Sequence, residues 1–86
     1  MKVETDPGYI EGQWAGKSMI PILHHTTYES IDGAIKAKET LIKTFETEFG
    51  YKREMDVEKF DYNYSYNIGM LDALKNHKKN GRRKKN

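Results

Sequence analysis

The stretch Phe60-Asp61-Tyr62-Asn63-Tyr64-Ser65-Tyr66-Asn67-Ile68-Gly69-Met70-Leu71-Asp72-Ala73-Leu74 admits two readings, and the choice between them decides the fold. At a period of two, Phe60, Tyr62, Tyr64, Tyr66, Ile68 and Met70 alternate with Asp61, Asn63, Ser65, Asn67 and Gly69 without an error. That is the pattern of a strand with one wet face, and tyrosine, asparagine and serine are poor helix formers. At helical period, Val57, Phe60, Tyr64, Ile68, Leu71 and Leu74 make a single apolar stripe. Two considerations favour the helix. Met70 to Lys75 is helical in composition and needs several turns before it to be stable. A strand would also need a partner, and the rest of the chain offers little β material. The sequence therefore predicts a helix over 57–79, with Asp56 as its N-cap, Glu58 in the first turn, and Lys78 and Lys79 in the last.

Upstream, Ile31, Ala34, Ile35, Leu41, Ile42, Phe45 and Phe49 recur at three- and four-residue steps, which predicts a second amphipathic helix over 27–49. Thr26-Thr27-Tyr28-Glu29 fits a capping box at its start, with Ser30 as an alternative cap. Gly50 is placed to end it. Glu39 and Lys43 form a favourable pair one turn apart on its wet face. The short link from Gly50 to Met55 makes the two helices antiparallel neighbours. Their stripes would bury Ile31, Ile35, Ile42, Phe45 and Phe49 against Phe60, Tyr64, Ile68, Leu71 and Leu74.

Residues 1–26 hold both prolines, Pro7 and Pro21, together with Gly8, Gly12 and Gly16. These residues punctuate regular structure, so the segment is expected to be extended or irregular. Tyr9-Ile10-Glu11 and Met19 to Leu23 are its only candidate strands, and Pro21 cannot donate to a ladder. The expected fold is thus mainly α: an antiparallel two-helix hairpin over 27–79, an extended or weakly β N-terminal arm over 1–26, and a disordered basic tail over 80–86. A hairpin of that size has too little apolar surface to stand alone. Either the arm folds over it, bringing Trp14, Ile20, Ile22 and Leu23, or a second chain does, as a homo-oligomer or an obligate complex.

The net charge of +2 hides a split. Residues 75–86 carry Lys75, Lys78, Lys79, Arg82, Arg83, Lys84 and Lys85 and no acid, whereas residues 1–74 carry eight bases and thirteen acids, a net −5. A basic terminus attracts phosphate polyanions without reading sequence, so these seven residues are the candidate nucleic-acid contacts. The acidic body argues against a wrapped, many-phosphate interface. Cysteine is absent, which excludes disulfides and Cys-ligated zinc. No stretch approaches the roughly 20 apolar residues of a membrane span, and Met1 to Gly8 does not read as a signal peptide, so the expected location is cytoplasmic.

Gly12-Gln13-Trp14-Ala15-Gly16-Lys17-Ser18 has the look of a phosphate-binding loop, but three residues separate its glycines where four are needed. His24 and His25 are adjacent and so point apart, and no cysteine or patterned carboxylate completes a metal site. No nucleophile, base and orienting group converge. The expectation is a protein without catalytic residues, metal or cofactor. Tyr62 and Tyr66 lie one helical turn apart, and exposed tyrosines supply stiff, amphipathic contact area. With Trp14 they are the candidate partner-binding residues.

The run Tyr66-Asn67-Ile68-Gly69-Met70-Leu71-Asp72-Ala73-Leu74 resembles helical segments of small accessory proteins of bacteriophages. That resemblance implies a phage- or mobile-element-encoded protein and carries no site residues with it. The functional expectation is a small binding protein that modulates or inhibits a larger host protein or nucleoprotein complex. The alternatives are a direct DNA- or RNA-binding protein working through the basic tail and the tyrosine face, and a structural subunit of an assembly.

Overall fold

The computed structural model describes the backbone of residues 1–24 and 28–84, and the side chains of 1–22 and 31–80. The 60–74 stretch is helical. After a 3-10 turn at Val3–Thr5 come α1 (Pro7–His24), α2 (Tyr28–Phe49) and α3 (Tyr62–Lys84), and no strand occurs among the described residues. The fold is mainly α and compact, measuring 40 × 22 × 22 Å.

The N-terminal segment corrects the sequence reading: residues 7–24 form an 18-residue helix, not an extended or weakly β arm. Each feature that argued against a helix has a use. Pro7 occupies the first helical position, where its missing N–H costs nothing and its fixed φ suits the helix. Asp6 caps it, one carboxylate oxygen accepting the Gly8 amide at 3.0 Å. Gly8, Gly12 and Gly16 recur every four residues and line the face turned toward α3. Pro21 falls near the C-terminal end, where one unmade bond weakens the helix least. The apparent phosphate loop at 12–18 is the interior of this helix.

The glycines set the architecture. A Cβ at Gly8 would meet Ser65, one at Gly12 would meet the Tyr66 backbone, and one at Gly16 would meet Met70 and Ala73. On the other helix, Gly69 lies against the backbone of Tyr9, Gly12 and Gln13. Contacts advance along both helices in the same direction, so α1 and α3 run parallel with their backbones touching. The facing stripes are Gly8, Gly12, Gly16 and Ser65, Gly69, Ala73, small residues at four-residue spacing that let two helices approach this closely.

α2 returns in the opposite direction. Asp32 pairs with Lys78, Glu39 with Lys75 at 3.0 Å, and the Tyr64 hydroxyl donates to Glu46 at 3.0 Å. The two-helix hairpin is therefore a three-helix body in which α3 lies between two neighbours. Its core is Val3, Ile31, Ile35, Ile42, Phe60, Tyr64, Ile68, Leu71 and Leu74. Of the expected stripe, Phe45 is half-buried and Phe49 is exposed. The N-terminal segment does cover the groove, with glycine backbone and with Val3, Tyr9 and Ile20 rather than with the full expected set: Trp14 and Ile22 face solvent, and the side chain of Leu23 lies outside the described residues.

Gly50, at φ +74°, closes α2. α3 starts at Tyr62, five residues later than expected, and its cap is Asp61, whose side chain accepts the Tyr64 amide at 3.2 Å. Asp56 loses that role because the chain on both sides of it is held elsewhere. The Arg53 carbonyl accepts the Val3 amide at 2.8 Å, and the Phe60 amide donates to the buried Asp6 carboxylate at 3.2 Å. At the other end α3 continues to Lys84, so residues 80–84 are helical and not a disordered tail; Lys85 and Asn86 lie outside the described residues. The proposed capping box at 26–29 also begins outside them.

Candidate functional site

The parallel packing of α1 on α3 brings together on one surface the three aromatic residues singled out from the sequence. Tyr62 and Tyr66, one turn apart on α3, stack with ring centroids 5.3 Å apart and planes 27° apart. Trp14 stands opposite on α1 and is 74% exposed, more than any other large apolar residue among the described side chains. Between them runs an open groove of about 450 Å³, lined by Ile10, Glu11, Trp14, Ala15, Tyr62 and Tyr66. Ile10 is likewise exposed. The exposure is a consequence of the glycine interface. Once one face of α1 is given to close backbone contact, its bulky side chains are left to point outward.

Electrostatically the groove is acidic. Glu11 is the one charged residue lining it, on the same side as the Tyr62 ring. Partial desolvation, with the neighbouring Glu11 carboxylate as the second cause, raises the Tyr62 phenol above its ordinary pKa.

Trp14 and Ile10 form a ridge, because a second groove of about 390 Å³ opens on their far side with Glu4, Tyr9, Gln13 and Lys17. Beneath it lies a polar network. Arg53 grips Asp72 with both guanidinium nitrogens, at 3.0 and 2.8 Å. The Tyr9 hydroxyl donates to Asp72 at 2.8 Å and accepts from the Gln13 amide at 3.0 Å. Burial, reinforced by the bond to Asp72, pushes the Tyr9 phenol up to about 12. Its own bonds to Asp72 raise the Arg53 guanidinium. This network ties the 50–61 segment to both parallel helices and supports the ridge from below.

The basic residues are not equivalent. Lys75 and Lys78 are engaged with Glu39 and Asp32 of α2, while Lys79 is exposed. Arg82, Arg83 and Lys84 extend the same helix, and Lys85 lies outside the described residues. The basic end and the aromatic groove are far apart on α3: sixteen residues from Tyr66 to Arg82 is roughly 24 Å at 1.5 Å per residue. Tail and tyrosine face therefore do not make one surface. Among the described residues, no group of three histidines or carboxylates stands close enough to hold a metal ion.

The sequence reading missed Ile10 and Glu11. With 7–24 read as helix, Ile10 and Trp14 fall one turn apart on its exposed face, so the missing signal was the helix itself. No family model, curated protein or solved structure matches the chain.

Proposed function

We propose that the chain is a small non-enzymatic interaction module that regulates or blocks a larger protein by direct contact, using the face formed by Ile10, Trp14, Tyr62 and Tyr66. The observation that carries this reading is a large, mostly exposed tryptophan set beside a stacked tyrosine pair on rigid, parallel helices. Aromatic anchors of this kind dominate binding energy at protein interfaces, and here they sit on regular elements that need little ordering on contact. A folded protein gains nothing internally from holding Trp14 in water.

The test is affinity capture from the natural host with wild-type protein, Trp14→Ala and Tyr66→Ala. A partner retained by the wild type and lost from both variants supports the reading. A partner retained equally by all three removes this face from consideration.

A second reading rests on the basic end of α3. The α3 backbone continues as helix to Lys84 and Lys79 is exposed on it, an arrangement suited to the phosphates of a nucleic acid. It predicts binding that is lost when residues 79–86 are removed and that does not respond to Trp14→Ala.

A further inference from the structure

The aromatic groove has a composition that selects among partners. Three of its six lining residues are aromatic, one is a carboxylate, and the other two are Ile10 and Ala15. Ring faces are negative and attract cations, with tryptophan the strongest of the side chains. The Tyr62 and Tyr66 rings stack on one side of the groove, and Trp14 supplies a second aromatic surface across it. Glu11 lines the same groove and supplies its one negative charge.

We propose that this groove receives an arginine side chain from a basic segment of the partner protein, the guanidinium lying against Trp14, Tyr62 and Tyr66 with Glu11 as its counter-charge. The inference rests on the aromatic face being the partner contact and adds the chemistry of what enters it. Arginine fits better than lysine. Its planar, weakly hydrated guanidinium stacks on flat rings, and its N–H fork matches a carboxylate. The acidic body, net −5 over residues 1–74, favours approach of a basic segment. The chain's own arginines do not supply the occupant from within one molecule: Arg53 is held by Asp72, and Arg82 lies roughly 24 Å along α3 from Tyr66, with Arg83 beyond it. The other aromatic hollow, at Phe45, Phe49, Tyr51 and Asp61, is less suited: Phe45 and Tyr51 already pack their rings on Tyr64.

Trp14 is the only tryptophan, so its fluorescence reports this groove alone. The experiment titrates the full chain with a short glycine–arginine peptide, its lysine counterpart and its citrulline counterpart, which keeps the shape and removes the charge. The expected result is a saturable change with the arginine peptide, a weaker response to lysine, and at least a tenfold loss with citrulline. Glu11→Gln, whose circular dichroism should match the wild type, is expected to weaken the arginine peptide three- to tenfold. Equal binding of arginine and citrulline peptides, or no saturable response, overturns the proposal.

The broader reading fails separately. Host-partner capture that needs Trp14 but ignores Glu11→Gln and excess arginine peptide would leave an apolar contact and end only the cation inference. Capture indifferent to Trp14 ends both. Sedimentation showing self-association that Arg82→Ala and Arg83→Ala together abolish would make the occupant a second copy and overturn the assignment to a different protein.

Discussion

Gly12 and Tyr66 meet backbone to backbone: a methyl group added at Gly12 would stand 2.0 Å from the Tyr66 carbonyl oxygen and 2.8 Å from its carbon. Neither atom belongs to a flexible side chain, so relief requires the two helices to separate. Gly12→Ala is therefore expected to destabilise the fold by about 3 kcal/mol, the upper part of the range for overpacking. Gly33 supplies the internal control. It lies in α2 with nothing within 4 Å of its would-be Cβ, so Gly33→Ala should stabilise by about 0.5–1 kcal/mol through helix propensity. Urea denaturation of the two variants measures both signs. Equal small effects would mean that α1 and α3 do not touch as described.

Asp6 is 2% exposed and joins three parts of the chain. Its carboxylate accepts the Gly8 amide at 3.0 Å, the Phe60 amide at 3.2 Å and the Ser65 hydroxyl at 2.9 Å. Asp6→Ala strands these donors in the interior and removes the cap of α1, for a loss on the order of 3 kcal/mol. Asp6→Asn keeps the shape but turns one acceptor into a donor facing a donor, costing about 1–2 kcal/mol. Ser65→Ala should cost about 1 kcal/mol, because the carboxylate keeps both backbone partners. The expected order, Ala above Asn above Ser65→Ala, is read from chemical denaturation midpoints.

The α2 and α3 stripes were legible because their apolar residues repeat at helical spacing, and Ile31, Ile35, Ile42, Phe60, Tyr64, Ile68, Leu71 and Leu74 are indeed buried. α1 was not legible, for a physical reason. Its inner face is made of glycine, whose contribution is the absence of a side chain, so hydrophobic periodicity has nothing to register there. The outer residues, Ile10 and Trp14, then looked like strand or arm. The pattern that does encode α1 is a matched pair of small-residue stripes, 8-12-16 and 65-69-73, visible only when two distant segments are compared. The late start of α3 was hidden for a similar reason. Asp56 and Asp61 are both good caps locally, and the choice falls to Asp61 because Asp6, far away in sequence, takes the Phe60 amide.

Alkaline pH should loosen the fold through two phenols. Tyr9 titrates at about 12 in the folded chain against 10.0 for a free side chain, and Tyr64 is raised by burial and then by its bond to Glu46. A group with a raised folded pKa holds its proton longer when folded. Its stabilising contribution is complete below pH 10 and declines as pH climbs through the folded value. Thermal unfolding of the wild type should weaken between about pH 10 and 12. Tyr9→Phe should be less stable than the wild type at neutral pH and show a shallower decline across that window. Parallel slopes in the two proteins would remove Tyr9 as the cause.

Trp14→Ala and Tyr62→Ala are expected to leave stability within about 0.5 kcal/mol, because both side chains are at least half exposed. Ile31→Ala and Leu74→Ala, at fully buried positions, should cost about 2–5 kcal/mol. The proposed function requires the reverse ranking for partner affinity measured at a temperature where all four variants are folded. A tryptophan whose removal unfolds the protein would belong to the core and not to a contact face.

The ion pairs of Lys78 with Asp32 and Lys75 with Glu39 reduce what the basic end can offer to a polyanion. Five bases remain beyond these pairs: Lys79, Arg82, Arg83, Lys84 and Lys85. If duplex DNA binds here, the slope of log affinity against log salt should be no steeper than about −4.5, at 0.9 per neutralised phosphate. Seven engaged bases would give about −6.3 by the same relation. Lys79→Ala should then flatten the slope by about 0.9, whereas Lys75→Ala should leave it unchanged and instead free Glu39 on α2. A slope near −6 would show that the phosphate backbone outcompetes the carboxylates of α2, and that α2 and α3 part their ion pairs when the polyanion arrives.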